Sequence, residues 1–145
     1  MTNKEKKLKV IKTLRERGER ITPAREKIVE IFHENDRPIT AAELLAALKK
    51  ARVPANKTTI YRQLEDLVVH GIVSEVSFQD DVRRFEITAG DHHHHLVCLK
   101  CGKVSDVELS GDLAKQEKEI KKKKSFTVLR HALEFFGHCR KCEKI

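Results

Sequence analysis

The sequence predicts an α+β protein in two parts: a helical N-terminal part that ends in a β-hairpin, and a smaller mixed C-terminal part. Three observations predict it. Apolar residues recur at helical spacing behind N-capping residues through residues 4–70. Two short β-like runs follow at 72–78 and 82–87. Beyond residue 91 the composition changes abruptly, because histidine and cysteine become frequent.

The first two helices are predicted by spacing and by capping residues. Residues 4–17 alternate charged with apolar side chains, which fits an amphipathic helix lying on a larger body. Thr22 and Pro23 are typical of an N-cap and a first helical position, so they predict a second helix that runs to about Asn35. Its apolar face consists of Ile28, Ile31 and Phe32.

Two more helices are predicted before the hairpin. Thr40 and Glu43 have the spacing of a capping box, which predicts a third helix that is ended by Val53–Pro54. A fourth helix is expected from about Lys57 to His70, with Gly71 as its stop.

The predicted hairpin consists of Ile72–Phe78 and Val82–Ile87, joined by a polar turn at 79–81. Helices followed by a hairpin give the element order of a winged helix-turn-helix domain. The alternative interpretation is a generic helical domain with a satellite hairpin.

A hinge is predicted at 88–91, because Thr88–Asp91 is short, small and polar. It separates a domain over residues 1–87 from a domain over residues 92–145. The second domain is expected to be mixed, with strands around Val97 and over Val104–Leu109, a charged helix over 112–124, and a strand over Phe126–Phe136 that ends at Gly137.

Composition restricts the partner and the compartment. The chain has 145 residues, 30 Lys and Arg against 22 Asp and Glu, and a formal net charge of +8, which favours contact with a polyanion. No apolar stretch approaches the ~20 residues that span a bilayer, and the N-terminal residues lack the apolar core of a signal peptide. We therefore expect a cytoplasmic protein without a membrane partner, whose four cysteines are metal ligands or redox groups.

The cysteines form two C-x-x-C knuckles about forty residues apart, Cys98 with Cys101 and Cys139 with Cys142. Two knuckles supply the four thiolates of a tetrahedral structural zinc site. The competing interpretation is a redox-active dithiol, but such a pair normally begins a helix in a βαβ setting, and one chain rarely carries two.

Four consecutive histidines, His92 to His95, precede the first knuckle. In an extended segment His93 and His95 point to one face, and His92 and His94 point to the other, so two metal sites are possible. Glu86 and Asp106 are candidate oxygen ligands, and a nitrogen and oxygen ligand set without thiolate suits Fe(II), Mn(II), Co(II) or Zn(II). The alternative is a run of solvated histidines.

Residues Lys57–Arg62 open the predicted fourth helix, where a recognition helix presents side chains to the major groove. Thr and Arg contact phosphates, Arg reads guanine, and the ring of Tyr61 suits a thymine methyl group. The candidate DNA contacts here are Lys57, Thr58, Thr59, Tyr61 and Arg62. Tyr61 at helical spacing with Ile60 also fits the edge of a core.

Together these elements resemble the ferric uptake regulator family, from about Arg17 to Cys142. The matching segments are Arg20–Arg25, Thr40–Leu45, Thr58–Arg62, Arg84–Glu86, Asp91–His95, Cys98–Lys103 and Gly137–Cys142. The resemblance implies a winged helix-turn-helix domain followed by a small α/β dimerisation domain with structural zinc. It also implies a homodimer that, when loaded with metal, binds an inverted-repeat operator in double-stranded DNA and represses transcription.

The resemblance assigns residues to sites. Structural zinc falls on Cys98, Cys101, Cys139 and Cys142, and the regulatory metal falls on Glu86, His93, His95 and Asp106. A second site falls on His92, His94, His131 and an acid from the helix after the first cysteine knuckle. DNA contacts also fall on Arg20 and Arg25.

Two departures affect these assignments. The family usually takes a regulatory ligand from a histidine just before the third helix, but Arg37 and Pro38 stand there, and His33 is the candidate substitute. The usual acid of the second site is replaced near Ala114, which leaves Asp112 or Glu117.

The effector metal is predicted from what the chain lacks. The zinc-sensing branch often adds a thiolate to its sensing site, and this chain has no fifth cysteine, so an iron-responsive repressor of metal homeostasis is favoured. Zinc-, manganese- and peroxide-responsive members are the alternatives. A metal-buffering protein or a metalloenzyme is the alternative from another class, but no motif supplies a general base with a substrate cleft, so no enzyme is expected.

Overall fold

A computed structural model of the chain describes residues 1–78, 80–88, 93–109, 113–129, 131 and 133–144. The chain divides into two compact units, which we call the N-terminal unit (Met1–Ala89) and the C-terminal unit (Gly90–Ile145). Most of the predicted hinge, and His92, lie outside the described residues. In the part that is described, no helix combines the length and the apolar character that crossing a membrane requires.

The N-terminal unit contains the four predicted helices and a small sheet. Its elements are α1 (Asn3–Glu16), α2 (Pro23–Glu34), β1 (Ile39–Thr40), α3 (Ala41–Lys50), α4 (Lys57–Val69), β2 (Val73–Val76) and β3 (Arg84–Ile87). Side-chain oxygens cap each helix, because the first turn leaves backbone N–H groups without helical partners. The caps are Thr2, Thr22, Thr40 and Asn56.

The sheet of this unit holds the hairpin against the helices. Its order is β1-β3-β2, and both pairings are antiparallel. Phe85 in the central strand lies opposite Ile39 on one side and Glu75 on the other. The Phe85 ring is 2% exposed and joins a core that α2 and α4 supply with Ile28 and Leu64. This arrangement confirms the winged helix-turn-helix prediction; β1 was not predicted.

The described residues of the C-terminal unit form a second small sheet and two helices. Its elements are β4 (His94–Cys98), β5 (Val104–Val107), α5 (Ala114–Lys124), β6 (Glu134–Gly137) and α6 (Arg140–Glu143). The order is β5-β4-β6, with β5 antiparallel and β6 parallel to the central strand. The mixed α+β prediction is confirmed.

The strand predicted over Phe126–Phe136 is too long. Its described part is strand only from Glu134, and Phe126 and Leu129 are 61% and 93% exposed. Apolar character alone predicted that strand, whereas a strand also needs a neighbour to pair with. Helix α6 was not predicted, because four residues carry no periodic signal.

Candidate metal centres and recognition helix

The parallel pairing of β4 with β6 brings the two cysteine knuckles together. Cys98 ends β4 and lies in register with Gly137 at the end of β6. The two parallel strands therefore end on the same side of the sheet. After Cys98 the chain turns through Gly102, and the φ of +72° at this position favours glycine. Cys139 is the N-cap of α6, which carries Cys142.

The four sulfur atoms fit one metal ion. All lie within 4.8 Å of one another, and the Sγ atoms of Cys101 and Cys139 are 3.8 Å apart. Four thiolates that bind zinc tetrahedrally at ~2.3 Å have sulfur atoms about 3.8 Å apart. The convergence of all four thiols on one point favours a metal site over an isolated redox pair.

Backbone amides and crowding set the pKa values of these thiols. Backbone N–H groups of Cys101 and Cys139 donate to Cys98 and lower its pKa to about 5, with the Cys139 nitrogen 3.3 Å from the sulfur. The pKa of Cys139 is lowered chiefly by the backbone N–H of Cys142. Burial and the neighbouring thiols raise the pKa of Cys142 to about 12. A cation relieves this repulsion, since four clustered thiolates otherwise repel one another.

A second group of ligands lies on one face of β4. His95 is opposite Asp106 across the β4–β5 pair, and its Nε2 is 3.9 Å from a carboxylate oxygen of Asp106. The ring of His93 meets that of His95 edge to face, with centroids 5.1 Å apart. His95 is only 4% exposed. This places three of the predicted regulatory ligands side by side.

The remaining candidate regulatory ligands belong to the N-terminal unit. Glu86 is half-buried in β3, opposite Ser74 of β2. His33 is half-buried near the end of α2, and its Nδ1 lies 2.9 Å from the carbonyl oxygen of Val29. Their participation stays a prediction.

The other face of β4 carries the predicted second site. The ring centroid of His94 lies 5.9 Å from that of His131. Glu117 of α5 places a carboxylate oxygen 2.7 Å from His131 Nδ1. The other candidate acid, Asp112, lies outside the described residues, as does His92. The contact to His131 therefore supports Glu117 as the acid of this group.

Helix α4 presents polar side chains at its start and buries its other face. Ile60, Leu64 and Leu67 are at most 1% exposed. Lys57, Thr58 and Arg62 are exposed, as a DNA-contacting turn requires, whereas Thr59 and Tyr61 are half-buried.

Two of the half-buried side chains have local partners. Thr59 Oγ1 lies 3.0 Å from the capping oxygen of Asn56. The guanidinium of Arg83, from the hairpin, lies over the Tyr61 ring at 5.8 Å and over the Phe85 ring at 5.4 Å. The ring of Tyr61 therefore contacts the hairpin as well as the edge of α4.

The two arginines outside α4 that are candidate DNA contacts differ in exposure. Arg20 is exposed, but Arg25 is 4% exposed and hydrogen-bonded to Glu19, Gln63 and Asp66. This does not suit the direct DNA contact that the resemblance implied for Arg25, because its guanidinium is already bonded within the protein. Sequence reasoning missed all three partners, since no local pattern signals them: Glu19 is 6 residues from Arg25, and Gln63 and Asp66 are 38 and 41 residues away.

Comparison with known proteins agrees with this architecture. A model of the ferric uptake regulator family matches residues 16–136. The ferric uptake regulation protein of Bacillus subtilis is 34% identical over 139 residues, which cover 92% of each chain. The peroxide operon regulator of the same organism is 33% identical over 134 residues, which cover 92% of this chain and 91% of the relative.

A solved structure shows the same fold. The crystal structure of the ferric uptake regulator of Vibrio cholerae has a TM-score of 0.69 and 33% identity, and the match covers 88% of this chain and 98% of that one. With a family match over most of the chain and relatives at this identity, the chain belongs to the ferric uptake regulator family.

Proposed function

We propose that this protein is a cytoplasmic, homodimeric repressor of metal-ion homeostasis that binds an inverted-repeat operator when Fe(II) occupies its regulatory site. The observation that carries this proposal is the separation of two chemically different ligand groups. One consists of four converging thiols, and the other places His95 beside Asp106 without any thiol.

The thiol group supports a permanent zinc ion. Four thiolates close the coordination shell, so a zinc ion held by them has no open position for a substrate. We assign it to Cys98, Cys101, Cys139 and Cys142, with a structural role. This assignment argues against a metalloenzyme, which needs an open site and a positioned base.

The regulatory ion is assigned to Glu86, His93, His95 and Asp106, with His33 as a candidate additional ligand. Imidazole and carboxylate ligands accept Fe(II), Mn(II) or Zn(II), and they hold these ions less tightly than four thiolates hold zinc. Glu86 belongs to the DNA-binding domain, and the other three ligands belong to the second domain. Binding through both domains couples metal occupancy to the DNA-competent arrangement.

The DNA-binding surface is assigned to the start of α4. Exposed Lys57, Thr58 and Arg62 are placed to contact phosphates and base edges, with Thr59, Tyr61 and the exposed Arg20 beside them. The net charge of +8 attracts the duplex.

The choice of iron rests on the ligands and on the relatives. The chain has four cysteines, all of which belong to the thiol cluster, so no thiolate is left for the regulatory site. Ferric uptake regulation proteins and a peroxide operon regulator are both relatives. Manganese, zinc and peroxide responses are therefore outcomes of the test. No observation favours a metal-buffering protein.

The test is DNA retention on a random-sequence duplex pool. The protein keeps its zinc, is stripped of labile metal, and is then given Fe(II), Mn(II) or Zn(II) under anaerobic conditions. We expect Fe(II) to enrich an inverted repeat. Enrichment with only one of the other metals would identify that metal as the effector. No enrichment with any metal would contradict the proposed function.

The matched variants are Glu86→Ala and Glu108→Ala. Glu108 is an exposed carboxylate just after β5 that belongs to no proposed site. Allosteric coupling is typically about 5–150-fold, and we expect Glu86→Ala to lose that metal-dependent gain in operator affinity while it keeps its zinc and its helix content. Glu108→Ala should behave as the unmodified chain does, and an unchanged metal response in Glu86→Ala would refute the assignment.

A further inference from the structure

The side chain of Arg25 lies in the first turn of α2 and is bonded inside the N-terminal unit. Its Nε donates to Gln63 at 2.6 Å, Nη1 donates to Glu19 at 2.7 Å, and Nη2 donates to Asp66 at 2.8 Å. Nη1 also donates to the carbonyl oxygen of Arg20 at 3.2 Å. All three guanidinium nitrogens are therefore engaged, and 4% of the residue remains exposed.

Two of these partners belong to α4. Gln63 and Asp66 are three residues apart, so they lie on one face of the helix and meet the guanidinium at two points. A planar guanidinium donates in fixed directions, which makes such a double contact sensitive to the rotation and the axial position of the helix. Tyr61 and Arg62, the proposed DNA contacts, precede Gln63 on the same helix.

The network extends to the far end of α4. Glu19 accepts from Arg25 through one oxygen, and its other oxygen lies 3.0 Å from Nε2 of His70, the C-cap of α4. Arg17 donates to the His70 carbonyl oxygen at 2.7 Å. Hydrogen bonds from Arg25 and then from His70 hold the pKa of Glu19 below its ordinary value. The turn between α1 and α2 is thereby tied to the middle and to the C-terminal end of α4.

We propose that Arg25 is a positioning residue that fixes α4 in its DNA-reading orientation and does not itself contact DNA. The inference rests on the proposed function, in which α4 reads the operator. A displaced α4 keeps the long-range attraction to phosphates but loses base contacts, which require hydrogen-bond geometry. Loss of Arg25 should therefore lower sequence specificity more than general affinity for DNA.

The experiment compares Arg25→Met with Arg20→Met in the metal-loaded dimer. Both variants remove one positive charge from the same region of the chain. They differ because Arg20 is exposed and is a proposed DNA contact, whereas Arg25 is buried. Affinity is measured over a range of salt concentrations for the inverted repeat enriched from the random pool, and for a scrambled duplex of the same length. Thermal unfolding of each variant gives its folded fraction.

For Arg25→Met we expect the ratio of operator affinity to scrambled-duplex affinity to fall about tenfold or more, which corresponds to the loss of one good base contact. The dependence of affinity on salt should match that of the unmodified chain. The proposal would be overturned if the slope of log affinity against log salt concentration became smaller by about one unit while the specificity ratio stayed unchanged. That is the effect of losing a phosphate contact. A lower folded fraction alone reduces both affinities equally, so an unchanged ratio overturns it too.

A second variant, Asp66→Ala, covers the case in which Arg25→Met does not fold. The Asp66 side chain is 53% exposed, so its removal spares the core while it breaks one contact between Arg25 and α4. Removing an acidic side chain raises affinity for any duplex if only charge matters. We expect a lower specificity ratio; higher affinity at an unchanged ratio would overturn the proposal.

The proposed function and the role of Arg25 can be refuted separately. If the unmodified chain enriches no sequence under any metal, the proposed function fails, and this inference fails with it. If the unmodified chain enriches an operator and the variants keep its specificity ratio, only the role of Arg25 is refuted.

Discussion

The two units of this protein bury different kinds of side chain. The N-terminal unit packs aliphatic and aromatic residues from all four helices and from the sheet into one cluster. Among the described residues of the C-terminal unit, the buried side chains are Cys98, His94 and His95. Several of its large apolar residues are exposed instead, among them Leu96, Leu129 and Phe135, and helix α5 buries none of its side chains.

The two kinds of buried side chain indicate where each unit obtains its stability. A cluster of buried apolar groups stabilises the N-terminal unit through the hydrophobic effect, which needs no partner. Burial of thiols and imidazoles contributes little hydrophobic stabilisation, because their polar atoms need a hydrogen-bond partner or a metal ion to offset the cost of leaving water. A bound metal ion supplies that partner, and the free energy of metal binding then contributes to the free energy of folding. We therefore expect the first unit to survive metal removal and the second to depend on it.

The largest effect should follow the loss of the zinc ligands. Cys139→Ser removes one of four thiolates, and zinc sites of this kind contribute about 10 kcal/mol or more to folding. We expect zinc loss and rapid amide exchange in β4 and β6, with α2 and α4 still protected. Metal analysis and segment-resolved hydrogen exchange measure both.

The control for that variant is Lys141→Ser, an exposed position between Cys139 and Cys142. It should keep the zinc and the protection of the C-terminal unit. Protection of β4 in zinc-free Cys139→Ser would show that the second unit does not depend on its metal, and the contrast between the units would then be lost.

A core substitution should have the next largest effect, confined to the N-terminal unit. Leu64 is 1% exposed, and Leu→Ala changes in packed cores cost about 2–5 kcal/mol. Leu64→Ala should lower the denaturant midpoint of the helical signal while zinc content stays unchanged. Val69→Ala, on the same helix but 83% exposed, should change stability by about 0.5 kcal/mol or less. Equal effects of the two variants would contradict the assignment of the core.

A smaller effect is expected at the second ligand group of the C-terminal unit. Glu117→Gln keeps the size of the side chain but removes the charge that faces His131. Loss of a partner of a metal-binding histidine typically lowers metal affinity about 10–100-fold, or about 1.4–2.7 kcal/mol. Titration calorimetry with Zn(II) on zinc-stapled protein measures it, and Glu119→Gln is the control, since Glu119 pairs only with exposed Lys123 among the described residues. An equal loss in both variants would remove Glu117 from this group.

The smallest effect concerns acid. Hydrogen bonds from Lys27 and Lys7 hold the pKa of Glu30 below its ordinary value of 4.5. A carboxyl group with a lowered pKa contributes stability above its unfolded pKa, and this contribution is lost as the pH falls through the folded pKa. Glu30→Gln should therefore reduce the stability of the N-terminal unit at neutral pH and flatten its decline below about pH 4.5. Denaturant midpoints over a pH series test this, and an unchanged acid decline would show that the Lys7–Glu30–Lys27 group contributes nothing.

The accuracy of sequence-based prediction also differed between the units. The N-caps Thr22 and Thr40 lie three residues from the backbone N–H groups that they accept from, so the helix starts could be predicted from the local sequence. The cysteine knuckles could be predicted for the same reason, since each is a local motif. In the C-terminal unit the apolar residues from Phe126 onward indicated a strand that, in the described residues, begins only at Glu134, because strand formation depends on a partner elsewhere in the chain.

Local sequence patterns were sufficient to predict helices α1 to α5, the two cysteine knuckles and the family. The folded structure was needed to show that Ile39–Thr40 pairs with β3, that β4 and β6 run parallel, and that Glu117 contacts His131. It also decided that Arg25 turns inward to Asp66, 41 residues away. The physical reason is distance along the chain: caps and knuckles close within one turn, whereas these contacts exist only after the core has brought distant segments together.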